Sequence, residues 1–165
     1  NRAELARELL QRVAEDAQDE VGLALYKDPN QVAVEQPAEI PLQLLAFAQK
    51  AVQAALTDPH AFARNLGEYM TEPKSNVWFD THELTESDSQ LKGLGVRLDR
   101  RSKMLFDDRH IFVNGESFTA SGKDAALMRS LANQRFLPAK DLKKLSAQAF
   151  ELVQSWAQAG WLHGF

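Results

Sequence analysis

The sequence predicts an α+β protein that is mainly helical, with a helical N-terminal region, a small antiparallel β meander and a second group of helices. Three observations support this prediction. Apolar side chains recur every three or four residues through much of the first 80 positions, as they do on one face of a helix. Between residues 96 and 119 they alternate or cluster in short runs around polar turns. From residue 123 the helical period returns.

Two amphipathic helices are predicted first. The apolar stripe of the first helix comprises Ala6, Leu9, Leu10, Val13, Ala17, Val21 and Ala24. A second helix is predicted from Leu42 to Leu56, because Pro41 suits a first helical turn. Two or three such helices rarely bury enough surface alone, so we predict a homodimer; contact with a further domain is the competing explanation. The candidate interface residues are Leu44, Leu45, Ala48 and Val52.

A third helix, Pro59 to Met70, completes the helical region. Asp58 is its predicted cap, since an aspartate before the first turn can accept hydrogen bonds from free backbone amides. The stretch from Asp80 to Ser89 is polar without a strong period and predicts a linker. We therefore expect two domains: residues 1–80 form a helical dimerisation region, and residues 81–165 form the rest.

Four strands are predicted at the start of the second domain, at residues 96–100, 103–106, 110–113 and 116–119. Arg101-Ser102 is the predicted turn of the first hairpin. Asn114-Gly115 predicts another, because both central residues of a tight hairpin turn need positive φ.

A helix at 123–133, a short extended segment, a short helix at 140–145, a longer helix at 148–159 and a closing strand then follow. This order of elements is that of a winged-helix domain. Its predicted core includes Leu152, Trp156 and Trp161, and burial is also expected of Trp78 and Phe106 because large aromatic side chains favour the interior.

The charge pattern argues against DNA recognition by this domain. The net charge is −4, and between Ser146 and Gly160 the only charged side chain is Glu151. A helix that reads the major groove presents Arg, Lys, Asn or Gln to bases and uses cations on phosphates. The longer helix offers glutamines but no cation, so DNA binding is not expected.

One small basic group could still form an interaction patch. It lies around the predicted Arg101-Ser102 turn and consists of Arg97, Arg100, Arg101 and Lys103. One interpretation is contact with RNA or with an acidic protein surface. The favoured interpretation is solvated turn charges, partly balanced by the aspartates Asp99, Asp107 and Asp108.

The chain offers no recognisable catalytic, cofactor-binding or metal-binding residues. It has no cysteine, which excludes thiolate zinc sites and disulfides within it and fits a cytoplasmic protein. None of the four histidines, at positions 60, 82, 110 and 163, is followed two residues later by Asp or Glu, as a two-histidine, one-carboxylate iron site commonly requires. No run of apolar residues is long enough to cross a membrane.

Over nearly its whole length, the sequence resembles the C-terminal half of bacterial JmjC/cupin-type ribosomal-protein arginine hydroxylases, the ribosomal oxygenases. The segments that carry this resemblance are YKDP (26–29), QPAEIP (36–41), DPHAFARNLGEYMTEPK (58–74), GVRLDRRSKMLFDDRHIFVNGE (95–116) and QAGWL (158–162). They are packing and turn residues rather than catalytic ones.

The resemblance implies a chain that supplies the dimerisation region and the winged-helix domain of such an oxygenase. Iron(II) and 2-oxoglutarate would then bind in an N-terminal cupin domain that this sequence lacks, and the substrate would be a ribosomal protein. The alternative is a free-standing winged-helix nucleic-acid-binding module or transcriptional regulator.

Overall fold

The computed structural model describes residues 1–20, 27, 38–57, 59–81, 91 and 93–165. Side chains within these ranges are described except at 17–20, 55 and 59. Several predictions lie outside the described residues: the end of the first apolar stripe at Val21 and Ala24, the connector up to Pro37, the Asp58 cap and most of the linker at 80–89.

The described part divides into two compact units, Asn1–Asn65 and Leu66–Phe165. The division falls fifteen residues earlier than the domain boundary predicted at residue 80. The first unit contains α1 (Arg2–Glu20), α2 (Leu42–Thr57) and the N-terminal half of α3 (Pro59–Thr71). The observed ends of α2 and α3 lie within one residue of the predicted ones. A helix was also predicted where α1 lies.

Helix α1 begins at a side-chain cap, because the Asn1 Oδ1 accepts hydrogen bonds from the amides of Ala3 and Glu4, each at 3.0 Å. Only Leu9 and Val13 of its described stripe are buried. Ala6 and Leu10 are exposed, so the predicted stripe is wider than the one that packs. Leu9 and Val13 are four residues apart and therefore lie on the same face of the helix. Among the described side chains of the α1 stripe, only this narrow face is buried.

A shared carboxylate connects α1 to α3 within the first unit. Asp16 Oδ2 accepts hydrogen bonds from the Arg64 guanidinium and from the Asn65 side-chain amide, both at 2.7 Å. Asn65 is buried and also donates to the Ala61 carbonyl. This contact satisfies a buried amide that would otherwise oppose folding.

The described residues of the second unit form two three-stranded antiparallel sheets, three helices and the C-terminal half of α3. The strands are β1 (Val96–Leu98), β2 (Met104–Phe106), β3 (His110–Val113), β4 (Glu116–Thr119), β5 (Phe136–Leu137) and β6 (Leu162–Gly164). The helices are α4 (Gly122–Gln134), α5 (Ala139–Leu142) and α6 (Ala147–Gln158). One sheet has the order β2-β3-β4 and the other β5-β1-β6. An α+β fold with a meander and a winged-helix arrangement is therefore confirmed.

The Asn114-Gly115 turn joins β3 to β4 as predicted, with φ of 49° and 93° at its two residues. The buried Asn114 side chain supports it. Its Oδ1 accepts from the Lys103 amide at 2.9 Å, and its Nδ2 donates to the Ser102 hydroxyl at 3.1 Å. The turn residue thus also holds the segment that enters β2.

The predicted hairpin at Arg101-Ser102 is wrong. Strand β1 does not pair with β2; it is the central strand of the other sheet, with Val96 opposite Leu137 on one side and Gly164 on the other. The turn therefore connects two sheets. The alternation of apolar and polar residues predicts which side chains of β1 point inward, but it does not predict which strands pair with β1. Those strands, β5 and β6, lie much later in the chain.

The main hydrophobic core lies between these sheets and helices α4 to α6. Its largest fully buried side chains include Trp156, Met128, Leu131 and Leu137. The prediction for Trp156 is confirmed, whereas Leu152 and Trp161 are only partly buried at its margin. Two predicted burials are wrong: Phe106 is exposed, and Trp78, which follows α3 outside any helix or strand, is 77% exposed.

The C-terminal half of α3 packs against the β3–β4 hairpin, and this explains why it belongs to the second unit. Gly67 faces the buried Phe112 so closely that a Cβ at this position would overlap the ring. The buried Thr71 hydroxyl accepts a hydrogen bond from the Gly115 amide at 3.1 Å. The Ser117 hydroxyl donates to Glu68 one helical turn earlier.

We expect Gly67→Ala to destabilise the second unit by up to about 2 kcal/mol in urea denaturation. Overpacking a core costs about 1–3 kcal/mol, and the better helix propensity of alanine returns about 1 kcal/mol of this. Adding Phe112→Leu should reduce the loss caused by Gly67→Ala, since it removes the ring atoms that the new methyl group meets. If Gly67→Ala costs the same stability with and without Phe112→Leu, this packing is contradicted.

Candidate interaction surfaces

The first candidate surface is the apolar face of α2. Leu44, Leu45, Ala48 and Val52 follow one another at helical spacing, so they lie on one side of the helix. All four are exposed in the single chain, Leu45 by 47% and Val52 by 60%. Every other described side chain from Leu42 to Thr57 is exposed as well. Such a leucine-rich helix retains an apolar face that a partner could cover.

The second candidate surface is the basic group at 97–103, whose members have different surroundings. Arg97 projects from the outer face of β1, and its guanidinium lies 5.0 Å from the centre of the exposed Phe165 ring. Arg100 is exposed in the turn that follows β1 and forms no hydrogen bond or ion pair with any described residue. These two cations are available to a partner.

Arg101 is engaged within the unit. Its guanidinium forms an ion pair with Asp99 at 2.9 Å and donates to the Trp78 carbonyl at 2.6 Å. A longer contact of 3.4 Å reaches Asp80, and the guanidinium also lies over the Phe79 ring. Arg101 thus holds the extended segment that follows α3.

Lys103 is engaged in a similar way. Its Nζ donates to the backbone carbonyl of Glu72 at 2.8 Å, just beyond the last residue of α3. A cation at a helix C-terminus offsets the negative end of the helix dipole. The basic group is therefore not a continuous free patch: two of its four cations stabilise the chain around α3, and two face solvent.

Asp99 is the carboxylate that pairs with Arg101 of this basic group. Its side chain is 11% exposed and accepts from Arg101 and from His163 Nε2, the latter at 2.9 Å. The hydrogen bond from Arg101 is the main reason that the pKa of Asp99 is held well below its usual range. The same pairing raises the pKa of the Arg101 guanidinium.

Helix α6 presents no cation. The Ser146 hydroxyl caps it by accepting from the Ala149 amide at 3.2 Å, and Asp124 binds Ser146 in turn through both its amide and its hydroxyl. Gln148, Glu151 and Ser155 are exposed along the helix. Glu151, the single charge of this segment, is thus directed to solvent rather than to the core.

The described residues give no sign of a metal site or a membrane span. No group of three or more His, Cys, Asp or Glu side chains among them could hold a metal ion. Two described histidines instead face aspartates, His110 towards Asp107 and His163 towards Asp99. None of the helices within the described ranges is long and apolar enough to cross a membrane.

The profile of the family described as ROXA-like winged helix matches residues 54–163, about two thirds of the chain. The chain belongs to this family. The match extends from the end of α2 to β6, and so includes α3 together with both sheets. No curated protein gave a match.

Solved structures share the fold. The chain is similar to the X-ray structure of Escherichia coli YcfD, at 17% identity and a TM-score of 0.79, with 96% of this chain and 44% of that chain covered. A second structure, described as the E. coli ribosomal oxygenase YcfD, gives 16% identity and a TM-score of 0.80 over 96% and 46% of the two chains.

A third structure is that of the same E. coli ribosomal oxygenase in complex with cobalt and 2-oxoglutarate. It shares 17% identity and a TM-score of 0.79 with this chain, over 96% of this chain and 45% of that one. The ROXA-like chain thus spans less than half the length of the solved structures it matches.

We expect Asp99→Asn to lower the stability of the second unit at neutral pH and to flatten its dependence on acid. Because the folded pKa of Asp99 lies below the unfolded value near 4, its contribution is present above about pH 4 and is lost as the pH falls further. Urea midpoints measured between about pH 2.5 and 7 would show this. Asp108→Asn, at an exposed position, is the matched control; equal pH profiles for the two variants would contradict the assignment.

Proposed function

We propose that this chain is the non-catalytic dimerisation and winged-helix portion of an iron(II)- and 2-oxoglutarate-dependent ribosomal-protein arginine hydroxylase in the cytoplasm. The observation that carries this proposal is the ROXA-like family match, together with a fold shared with the E. coli ribosomal oxygenase over 96% of the chain. The coverage of that structure, less than half, leaves room for a separate catalytic domain. Iron(II) and 2-oxoglutarate would bind there, and a ribosomal protein would be its substrate.

Homodimerisation through α2 is the part of this proposal that concerns named residues. Leu44, Leu45, Ala48 and Val52 form an exposed apolar face on a helix with a single lysine and no acidic residue. A second copy of the same helix would cover this face without burying an ionised carboxylate. Burying apolar surface at about 25 cal/mol per Å² would supply the driving force.

The proposed role of the winged-helix domain is contact with protein rather than with DNA. Arg101 and Lys103 are committed to contacts within the second unit, and α6 carries Glu151 as its single charge. A phosphate backbone would meet few free cations on this surface.

We expect the chain to be a dimer, with twice its mass of 18.5 kDa, by light scattering at micromolar concentration. Leu45→Glu combined with Val52→Glu should shift it to the monomer, because two carboxylates would have to be desolvated at the interface. Gln43→Glu introduces a carboxylate on the opposite side of the same helix and should leave the dimer intact. A wild-type monomer at these concentrations would contradict dimerisation through α2.

Two measurements test the oxygenase assignment itself. The gene upstream of the codon for Asn1 should encode a cupin barrel with His-x-Asp/Glu and a distal histidine; an initiation codon immediately upstream would contradict the assignment. We also expect no 2-oxoglutarate decarboxylation when iron(II) and 2-oxoglutarate are added to this chain alone. Measurable turnover by this chain would contradict its assignment as the non-catalytic portion.

The alternative, a free-standing nucleic-acid-binding module, makes a distinct prediction. It would require salt-sensitive binding of duplex DNA or ribosomal RNA that weakens when Arg97 and Arg100, the two solvent-facing cations, become alanine. We expect no such binding in an electrophoretic shift at about 50 mM salt. A shift that is lost in the double variant would favour the alternative.

A further inference from the structure

A groove of about 690 Å³ lies in the second unit between strand β4 and helix α6. One wall is the strand and the residues that follow it, Ser117 to Ser121. The other wall is the exposed side of α6, including Gln148, Glu151 and Ser155, and the apolar side chains of Met128, Leu152 and Trp156 line it more deeply. Every lining residue belongs to the same compact unit.

The wall formed by β4 is an unpaired sheet edge. Strand β4 pairs with β3 and with no other described strand. The carbonyl of His110 in β3 accepts from the amide of Asp107, the residue after β2, and so points to the β2 side of the strand. Because backbone groups alternate in direction along a strand, Ile111 and Val113 then bond to β4, and their partners are Phe118 and Glu116. The amides and carbonyls of Ser117 and Thr119 therefore face away from the sheet, on the side of the groove.

Trp156 provides a second unsatisfied group. Its side chain is 2% exposed, and its indole N–H has no hydrogen-bond acceptor among the described residues. Its ring meets Phe118 of β4 edge to face, with ring centres 5.3 Å apart. Buried indole N–H groups usually have an acceptor, so a carbonyl that enters the groove would supply what this one lacks.

The charges of the lining are all negative. Asp124 and Glu151 are its ionisable residues, and no lysine, arginine or histidine of the described part lines the groove. Asp124 accepts hydrogen bonds from Ser146, whereas the carboxylate of Glu151 forms no hydrogen bond or ion pair with any described residue. Glu116, at the start of β4, is also exposed. The negative charge of these carboxylates repels nucleic acid and attracts a cationic ligand.

We propose that the groove binds an extended, basic peptide segment of a partner protein, which adds to β4 as a further strand. The backbone groups of Ser117 and Thr119 would provide the pairing, as in other cases of strand addition. Glu151 would select a Lys or Arg side chain on the side of the peptide facing α6. A cation on α6 would repel such a peptide, and α6 has none. Binding of the peptide requires neither the oxygenase assignment nor dimerisation.

The test uses the full chain and two fluorescein-labelled octapeptides, one alternating Arg and Thr and the other alternating Glu and Thr. The Arg-Thr peptide should bind in fluorescence anisotropy at about 50 mM salt and weaken as salt is added, whereas the Glu-Thr peptide should not bind. In amide NMR spectra, the Arg-Thr peptide should shift Ser117, Thr119 and the Trp156 indole signal. Absence of binding up to millimolar peptide, equal binding of both peptides, or shifts confined to other residues would each overturn the proposal.

Variants separate the backbone and charge contributions. Thr119→Pro removes an outward-facing amide, which proline tolerates at a sheet edge, and should weaken the Arg-Thr peptide at least about tenfold. Glu151→Lys leaves the strand intact and should weaken it about fivefold, the upper range of an exposed charge pair. Asp108→Lys, an equal charge reversal on the β2–β3 turn, should leave the affinity unchanged. If Thr119→Pro fails to fold, the Glu151 and Asp108 pair still decides the matter, and equal effects of those two would contradict the proposal.

Discussion

The placement of β1 is the constraint on which the second unit depends. Helices α4 to α6 bury their apolar faces against both sheets, and the central strand of the sheet β5-β1-β6 precedes all three helices in the chain. Val96 and Leu98 are almost completely buried on the side of the helices, while Arg97 points outward. Because β5 and β6 pair with β1 and not with each other, the winged-helix arrangement requires residues from outside its helical part.

This constraint accounts for the contacts made just after β1. Over one short turn the chain must leave one sheet and enter the other, and three hydrogen bonds hold it there. Asp99 accepts from His163, Arg101 donates to the Trp78 carbonyl, and the Ser102 hydroxyl donates to the Trp161 carbonyl. Asp99 is the more covered partner, with a side chain 11% exposed, and a carboxylate in such a position needs well-placed hydrogen bonds to be tolerated. Arg101, which the sequence places in a candidate interaction patch, is thus used to stabilise a crossing between two sheets.

Helix α6 lacks the cations that a helix reading DNA uses to contact phosphates. Two exposed cations of the basic group, Arg97 in β1 and Arg100 just after it, face solvent, whereas α6 and the edge of β4 carry Glu151 and Glu116. The prediction of a cation-free helix followed directly from counting side chains. The sequence could not predict that this helix borders a groove with an unpaired strand edge, because β4 and α6 are far apart in the chain. Neither the strand pattern of β4 nor the helical pattern of α6 indicates a binding groove when it is taken alone.

The sequence by itself determined the helices α1 to α6, the Asn114-Gly115 turn and the apolar face of α2, since all of these arise from local periodicity and from the dihedral preferences of single residues. It also determined the absence of cations from α6. The tertiary structure alone decided that β1 joins β5 and β6, that Gly67 packs on Phe112, that Trp78 is exposed and that Arg101 and Lys103 are engaged. These outcomes depend on pairings between distant segments, whose free energies come from burial and from hydrogen bonds that no local pattern specifies.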